Sequence, residues 1–379
     1  MIGKVSGAAF DVPAIFTTYT LLDITTRVTT IKTQLQQDVD PVGDRAAASG
    51  LMAPDDAGDV AAHHDYKLTK NGQESTFVWI PVFAAYQLID PTTAGHAGKR
   101  VGSWVKVQPA SGTPNVHWAR ETFGGFYVAK YEAARNDAVP GAPGTGVGAT
   151  AGTSTTTLKV QAACVPWADV DWDTAAKLCL AYDVHAHLLR DDEWTALAVW
   201  SMINNVTVYG NNNSGKDQDD AAVTFVGDPN EAGRSLTGTG TRAGWTGTAN
   251  FTTHTGTTAG VYDLNGNVWE WTETVGSAIT TGNYIVGDVD TGLKSAKGNV
   301  NTLSTDPRLR RYGLPGTTGA PDAAWGGDYF WLATTTAMKM ERGGSFYQGA
   351  NAGVWCSDLD EARTMTKAHL GFRPALSFR

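Results

Sequence analysis

Asp263, Asn265, Asn267 and Glu270 set four oxygen-bearing side chains within eight residues, with Gly266 among them and Trp269 and Trp271 around the glutamate. Oxygen donors at this density can surround a hard cation such as calcium, or tie a tight turn to neighbouring backbone. The spacing is not that of an EF-hand, whose glycine and closing glutamate sit farther along. Both readings stay open, and by default the two indoles are core aromatics. Other chemistry is sparse. His185 and His187 would share a face on a strand, but no third ligand follows at metal spacing, so a packed or solvent-facing pair is preferred. His63 and His64 fall in an expected loop and read the same way. Cys164, Cys179 and Cys356 lie far apart and form no Cys-x-x-Cys or disulfide set. Neither a Gly-x-Ser-x-Gly elbow nor a phosphate-binding glycine loop occurs.

A different kind of chemistry is concentrated near the C-terminus. Between Tyr347 and His369 the side chains are aromatic, amide, acidic, thioether, basic and imidazole in turn, without helical or strand period. Tyr347, Gln348, Asn351, Trp355, Ser357, Asp358, Asp360, Glu361, Met365, Lys367, Ala368 and His369 are the candidate ligand contacts. Gly349, Gly353, Leu359, Ala362 and Leu370 punctuate them like scaffold positions. Such a spectrum suits a recognition surface, where rigid aromatic anchors sit among adaptable polar groups. The plainer alternative is a surface loop between two strands, and Trp355 beside Val354 is as often core as anchor.

The elements that would hold these residues are short. Phe77–Val82 and Gly125–Tyr131 read as strands. Ala175, Ala176, Cys179 and Tyr182 predict a helix over 173–183 capped by Asp173, and a second runs from Asp191 to Ile203 with Trp194, Leu197, Ala198 and Ser201 on one side. A Pro/Gly/Ala/Thr tract at 136–157 reads as an exposed loop, and loops are expected to dominate 207–259 and 276–319. The fold class is therefore α+β, with short, mainly antiparallel strands, two main helices and long loops. Residues 1–72 stand apart as an N-terminal extension. There Leu21, Ile24, Val28, Ile31 and Leu35 carry a heptad-like stripe, read first as one amphipathic helix and second as a homo-oligomer seam through 21–35. Residues 40–65 read as loop, and 73–379 form the main domain.

Composition bounds the rest. The 379 residues are 42% hydrophobic and only 18% charged, enough for a large core and against global disorder. A net charge of −9 argues against nucleic acid as partner. No window has the length and apolarity of a membrane span, and the first residues lack a signal-peptide core, so cytoplasmic synthesis is expected while the final location stays open.

Six segments in order carry a family resemblance. Val78–Pro81, Phe126–Glu132, Val165–Ala176 (through Trp172-Asp173-Thr174), Leu188–Trp194, Gly260–Trp271 and Arg342–Phe346 with Gly371-Phe372-Arg373 resemble the formylglycine-generating-enzyme (sulfatase-modifying factor) branch of the C-type lectin fold. The resemblance covers about residues 75–379. Within that branch, Gly349–Trp355, Leu359, Ala362-Arg363 and Gly371–Leu376 are most similar to variable proteins of diversity-generating retroelements, and Gly210–Asn213 looks like a segment of phage-borne members. The resemblance implies adenine-directed diversification of surface codons within 347–369 on a fixed scaffold, and a protein or surface receptor as ligand. It implies no required cofactor. For a structural calcium it implies Asp263, Gly266, Val268 and Glu270 as the ligand set. Oxidases of the branch use two cysteines, three and eight positions after the serine of the Gly-Gly-Ser motif. Gln348 and Gly353 stand at those positions, and neither supplies a thiolate. The expectation is a non-catalytic binder; the alternatives are an oxidase of this branch and a structural phage component.

Overall fold

The computed structural model describes residues 63–70, 72–90, 100–107, 117–144, 157–273, 297–332 and 338–377, with short strand pieces between 276 and 290 given by backbone alone. The stripe at 21–35 and most of the expected loop at 40–65 lie outside the described residues. The described residues all belong to one compact unit.

Two-residue alternation marks the first strand among the described residues. Asp65–Lys70 pairs along its whole length with Gln73–Ile80, and Gly72 before the second strand has φ +75°. The expected boundary at residue 72 falls inside this hairpin. Gln73–Ile80 turns continuously apolar where it enters the interior, and a five-stranded antiparallel sheet follows. Its order is Asp65–Lys70, Gln73–Ile80, Phe126–Ala129, Pro374–Leu376, Ala186–Leu188.

A seven-stranded mixed sheet holds the C-terminal motifs. Its order is Pro315–Gly319, Gly298–Leu303, Tyr329–Leu332, Gly353–Leu359, Glu341–Gly343, Trp269–Trp271, Leu370–Phe372. The pairs Tyr329–Leu332 with Gly353–Leu359 and Trp269–Trp271 with Leu370–Phe372 are parallel. Residues 370–376 cross from this sheet to the first, and Arg373 sits at the crossing. Strands Gly298–Leu303 and Pro315–Gly319 correct the expectation of loop there: Asn, Gly and Pro are poor sequence signals for a strand, and the antiparallel ladder supplies what propensity lacks.

Among the described residues there are two α-helices. α1, Trp172–Tyr182, buries Thr174, Ala175, Leu178, Cys179 and Tyr182. Its cap is Asp171, whose carboxylate accepts from the Thr174 amide at 2.7 Å; Asp173, the expected cap, lies in the first turn and pairs outward with Arg363. α2, Asp191–Ile203, has the expected bounds, but eleven of its thirteen residues are buried, so it is enclosed rather than amphipathic. Trp194, Leu197, Val199 and Trp200 join Val78, Ile80, Phe83, Trp104 and Val128 in the main core. The architecture is sheet-rich α+β, as the sequence predicts.

Candidate functional site

The motif 263–271 is a clasp. Asp263, Gly266 and Asn267 have left-handed φ of 62°, 78° and 63°, a conformation Asp, Asn and Gly tolerate best. Gly266 bridges Asn211, and a Cβ there would meet the Asn211 carbonyl oxygen at 2.2 Å, so glycine is required by close approach. The Asn265 side chain donates to the Val208 carbonyl at 2.7 Å and accepts from Asn212 at 3.1 Å. Asn267 accepts from the Ser235 amide at 2.8 Å and donates to Glu132 at 2.6 Å. These asparagines therefore fasten the 208–213 and 233–235 loops to the sheet.

Glu270, one of the four expected calcium ligands, is occupied by an arginine. Both Glu270 oxygens are taken by Arg373, at 2.8 Å from Nε and 2.6 Å from Nη2. Arg373 also donates to the carbonyls of Ala129 and Tyr262, each at 2.9 Å. A guanidinium thus stands where a metal would neutralise the motif. Asp263 Oδ2 accepts from the Gly238 amide at 2.7 Å while its buried Oδ1 has no hydrogen-bond partner. Burial pushes the Asp263 carboxyl up to about 7, and burial with the charges of Asp263 and Glu270 pushes Glu132 well up. Among the described residues no cluster of three His, Cys, Asp or Glu side chains could hold a metal. His187 instead meets Glu193 at 2.8 Å, and His63 packs edge-on against Trp200, 3.2 Å from His254.

The second arginine of the resemblance is equally structural. Arg342 Nε donates to Asp191 at 2.6 Å, joining the strand Glu341–Gly343 to the start of α2. At the two oxidase positions, Gln348 folds back to accept from the Ser345 hydroxyl at 2.7 Å. A Cβ at Gly353 would meet Asp328 Oδ1 at 2.1 Å, so a carboxylate already fills that space. The nearest thiol, Cys356, is fully buried, and desolvation pushes its pKa well up, away from thiolate chemistry.

The twelve candidate ligand contacts divide in two. Trp355, Ser357 and Asp358 belong to the buried strand Gly353–Leu359 and are scaffold, which corrects their assignment to the open surface. Polar Ser and Asp gave them a surface look, and strand pairing on both sides encloses them. Trp355 packs edge-to-face on Trp325. The other nine remain accessible: Tyr347 is 52% exposed and Met365 36%, while Gln348, Asn351, Asp360, Glu361, Lys367, Ala368 and His369 are half-buried. Tyr347 stands on Phe346, ring centroids 5.2 Å apart, and its hydroxyl meets His369 Nε2 at 2.7 Å. Lys367 pairs with Glu361, and the Ala368 carbonyl accepts from Arg234. Asn351 approaches Asn299.

Burial, then the charges of Lys367 and Arg234, lower the His369 pKa to about 4, so the imidazole is neutral at neutral pH. A folded value below the ordinary histidine range means the unfolded chain binds the proton more tightly. The stabilising contribution is complete above about pH 6.5 and is lost as pH falls from there towards about 4. We expect the Tm to decline over that window, and His369→Gln to flatten the decline. An imidazole resonance titrating near 6.5 in the native protein would contradict this.

Sequence reasoning missed Tyr329, Trp331, Glu341 and Asp328. Tyr329–Leu332 alternates half-buried and buried residues, a strand signature that the run Tyr-Phe-Trp-Leu could have shown. Trp331 lies 5.5 Å from Trp269, ring to ring, and Tyr329 stacks against Trp331 at 4.4 Å.

No protein-family model and no curated protein matches the chain. Several solved structures are similar at low level. The structure of PvdO from Pseudomonas aeruginosa is 15% identical, with 83% of this chain and 98% of that one covered and a TM-score of 0.39. Treponema denticola variable protein 1 is 13% identical over 82% of this chain and 98% of that one, with a TM-score of 0.33. The Major Tropism Determinant I1 variant is 13% identical over 66% of this chain, with a TM-score of 0.31. The match spans about half the length of the I1 and U1 variants, 50% in each case. Likenesses at this level do not assign a function.

Proposed function

We propose that this chain is a non-catalytic recognition protein, a C-type-lectin-fold variable protein of the kind diversified by a retroelement, binding a protein or surface receptor through residues 347–351 and 360–369. The observation that supports it is the division of the 347–369 segment. Its middle is a buried strand that fixes geometry, while both flanks carry accessible side chains of mixed chemistry around Tyr347 and His369. Changes on such flanks cost little stability, since exposed substitutions away from caps and cores stay within about 0.5 kcal/mol. Binding then comes from a few rigid anchors. The oxidase alternative is disfavoured by the carboxylate that fills the second thiol position and by the absence of a thiol at the first.

Tyr347→Ala is the first test. With a partner captured on the wild-type protein, we expect binding to fall by about 1–2 kcal/mol, roughly five- to thirtyfold, with the Tm unchanged. Loss of folding alongside loss of binding would sink the reading, as would undiminished binding.

A further inference from the structure

Glu341 and Asp358 are direct cross-strand partners, so both carboxylates project from the same face of the seven-stranded sheet. Glu341 is 1% exposed and Asp358 8%. Like charges opposed in this way repel, and burial strengthens the repulsion. Neighbouring acids have resident cations: Lys367 pairs with Glu361, and Lys297 lies 3.8 Å from Asp360. Among the described residues no lysine or arginine is in ion-pair contact with Glu341 or Asp358, although the Lys367 charge acts on both; Asp358 Oδ1 accepts from the Asp360 amide at 2.7 Å, and Glu341 Oε1 is buried without a hydrogen-bond partner. An orphaned buried carboxylate oxygen is costly and asks for a cation or a proton.

Aromatic rings complete the environment. Trp331 is the register partner of Asp358 on the other side, and Trp271 that of Glu341, which puts Trp269 on the same face as both acids. The Trp269 and Trp331 rings come within 5.5 Å although the strands bearing Asp358 and Glu341 lie between their own. The two indoles therefore reach towards each other over the acid pair. Trp331 is only partly buried, which leaves one edge of this roof in reach of the surface.

We propose that Glu341 and Asp358, under the Trp269–Trp331 pair, form a subsite for one organic cation, an alkylammonium or guanidinium group presented by the partner. Carboxylates beneath indole faces suit such a group, because the acids supply charge and the rings bind its apolar stem and its cationic edge. A compact, strongly hydrated metal ion would make no use of the rings. The subsite rests on the recognition reading above and names the chemistry of its ligand: a basic side chain inserted beside the Tyr347–His369 anchor.

The test uses the full chain and n-butylammonium chloride as probe, with butan-1-ol, sodium chloride and calcium chloride at matched concentrations. Indole emission and Tm are the readouts. Butylammonium is expected to give a saturable change that the controls do not. Glu341→Gln and Asp358→Asn should each weaken it about tenfold, and Glu341→Gln should keep or raise the Tm of the free protein, since a repelling charge is removed. If Glu341→Gln does not fold, Trp331→Leu carries the test and should lose the saturable change. Butylammonium acting like sodium chloride or butanol, calcium reproducing its effect, or variants that bind like wild type would each overturn the proposal. A captured partner lost on Tyr347→Ala but indifferent to Glu341→Gln would overturn the subsite alone. A partner indifferent to both would overturn the recognition face itself.

Discussion

Arg373→Ala should destabilise the domain by about 3–5 kcal/mol, because it leaves a fully buried carboxylate without its counter-ion. Arg373 is 0% exposed, holds Glu270 with two hydrogen bonds and satisfies the carbonyls of Ala129 and Tyr262. It also lies where residues 370–376 cross between the two main sheets, so its contacts join elements that nothing nearby in sequence could join. A loss of that size is a large part of the usual 5–15 kcal/mol for a folded domain. Urea unfolding followed by tryptophan emission measures it. The double variant Glu270→Gln with Arg373→Met should cost less than Arg373→Ala alone, since it removes the orphaned charge together with the pair. A single-variant loss below about 1 kcal/mol would mean that the carboxylates are relieved by something other than this arginine.

Restoring the missing thiol should damage the fold without creating an oxidase. Gly353→Cys brings a Cβ to 2.1 Å from Asp328 Oδ1, and that carboxylate cannot withdraw freely because its Oδ2 holds the Trp355 amide at 2.6 Å. Overpacking of this kind costs about 1–3 kcal/mol, and displacement of the buried Asp328 adds to it. We expect a clear fall in the urea midpoint for Gly353→Cys, little change for the half-buried Gln348→Cys, and no thiol-dependent oxygen uptake from the double variant. Oxygen uptake by a stable double variant would show that the oxidase geometry survives in this chain.

How far the sequence led depends on how local each feature is. α2 was legible from its apolar run, while its start signal went unread: the Glu193 carboxylate accepts from the Arg190 amide at 3.1 Å. α1 was legible from its periodicity, though two aspartates compete for its cap and only geometry selects Asp171. The clasp at 263–267 showed its asparagines and glycine as turn formers. Its electrostatics were hidden, because Glu270 finds its cation 103 positions later. The strand Gly353–Leu359 was the largest omission. Ser357 and Asp358 carry no surface label; they are polar residues enclosed by neighbours on both edges, and their burial is decided by pairing with Tyr329–Leu332 and Glu341–Gly343. The acid pair Glu341–Asp358 was invisible for the same reason.

A site-saturation library over residues 347–369, sorted for folding by protease resistance and separately for binding to a captured partner, bears most directly on the proposal that a rigid sheet displays exchangeable side chains. Positions 347, 351, 360, 361, 365 and 367–369 should accept most residues without loss of protease resistance, while positions 353 and 355–359 should accept few. Binding should depend on the first group and, through the acid-pair subsite, on position 358. Intolerance at 347 and 365–369 equal to that at 355–358 would contradict it.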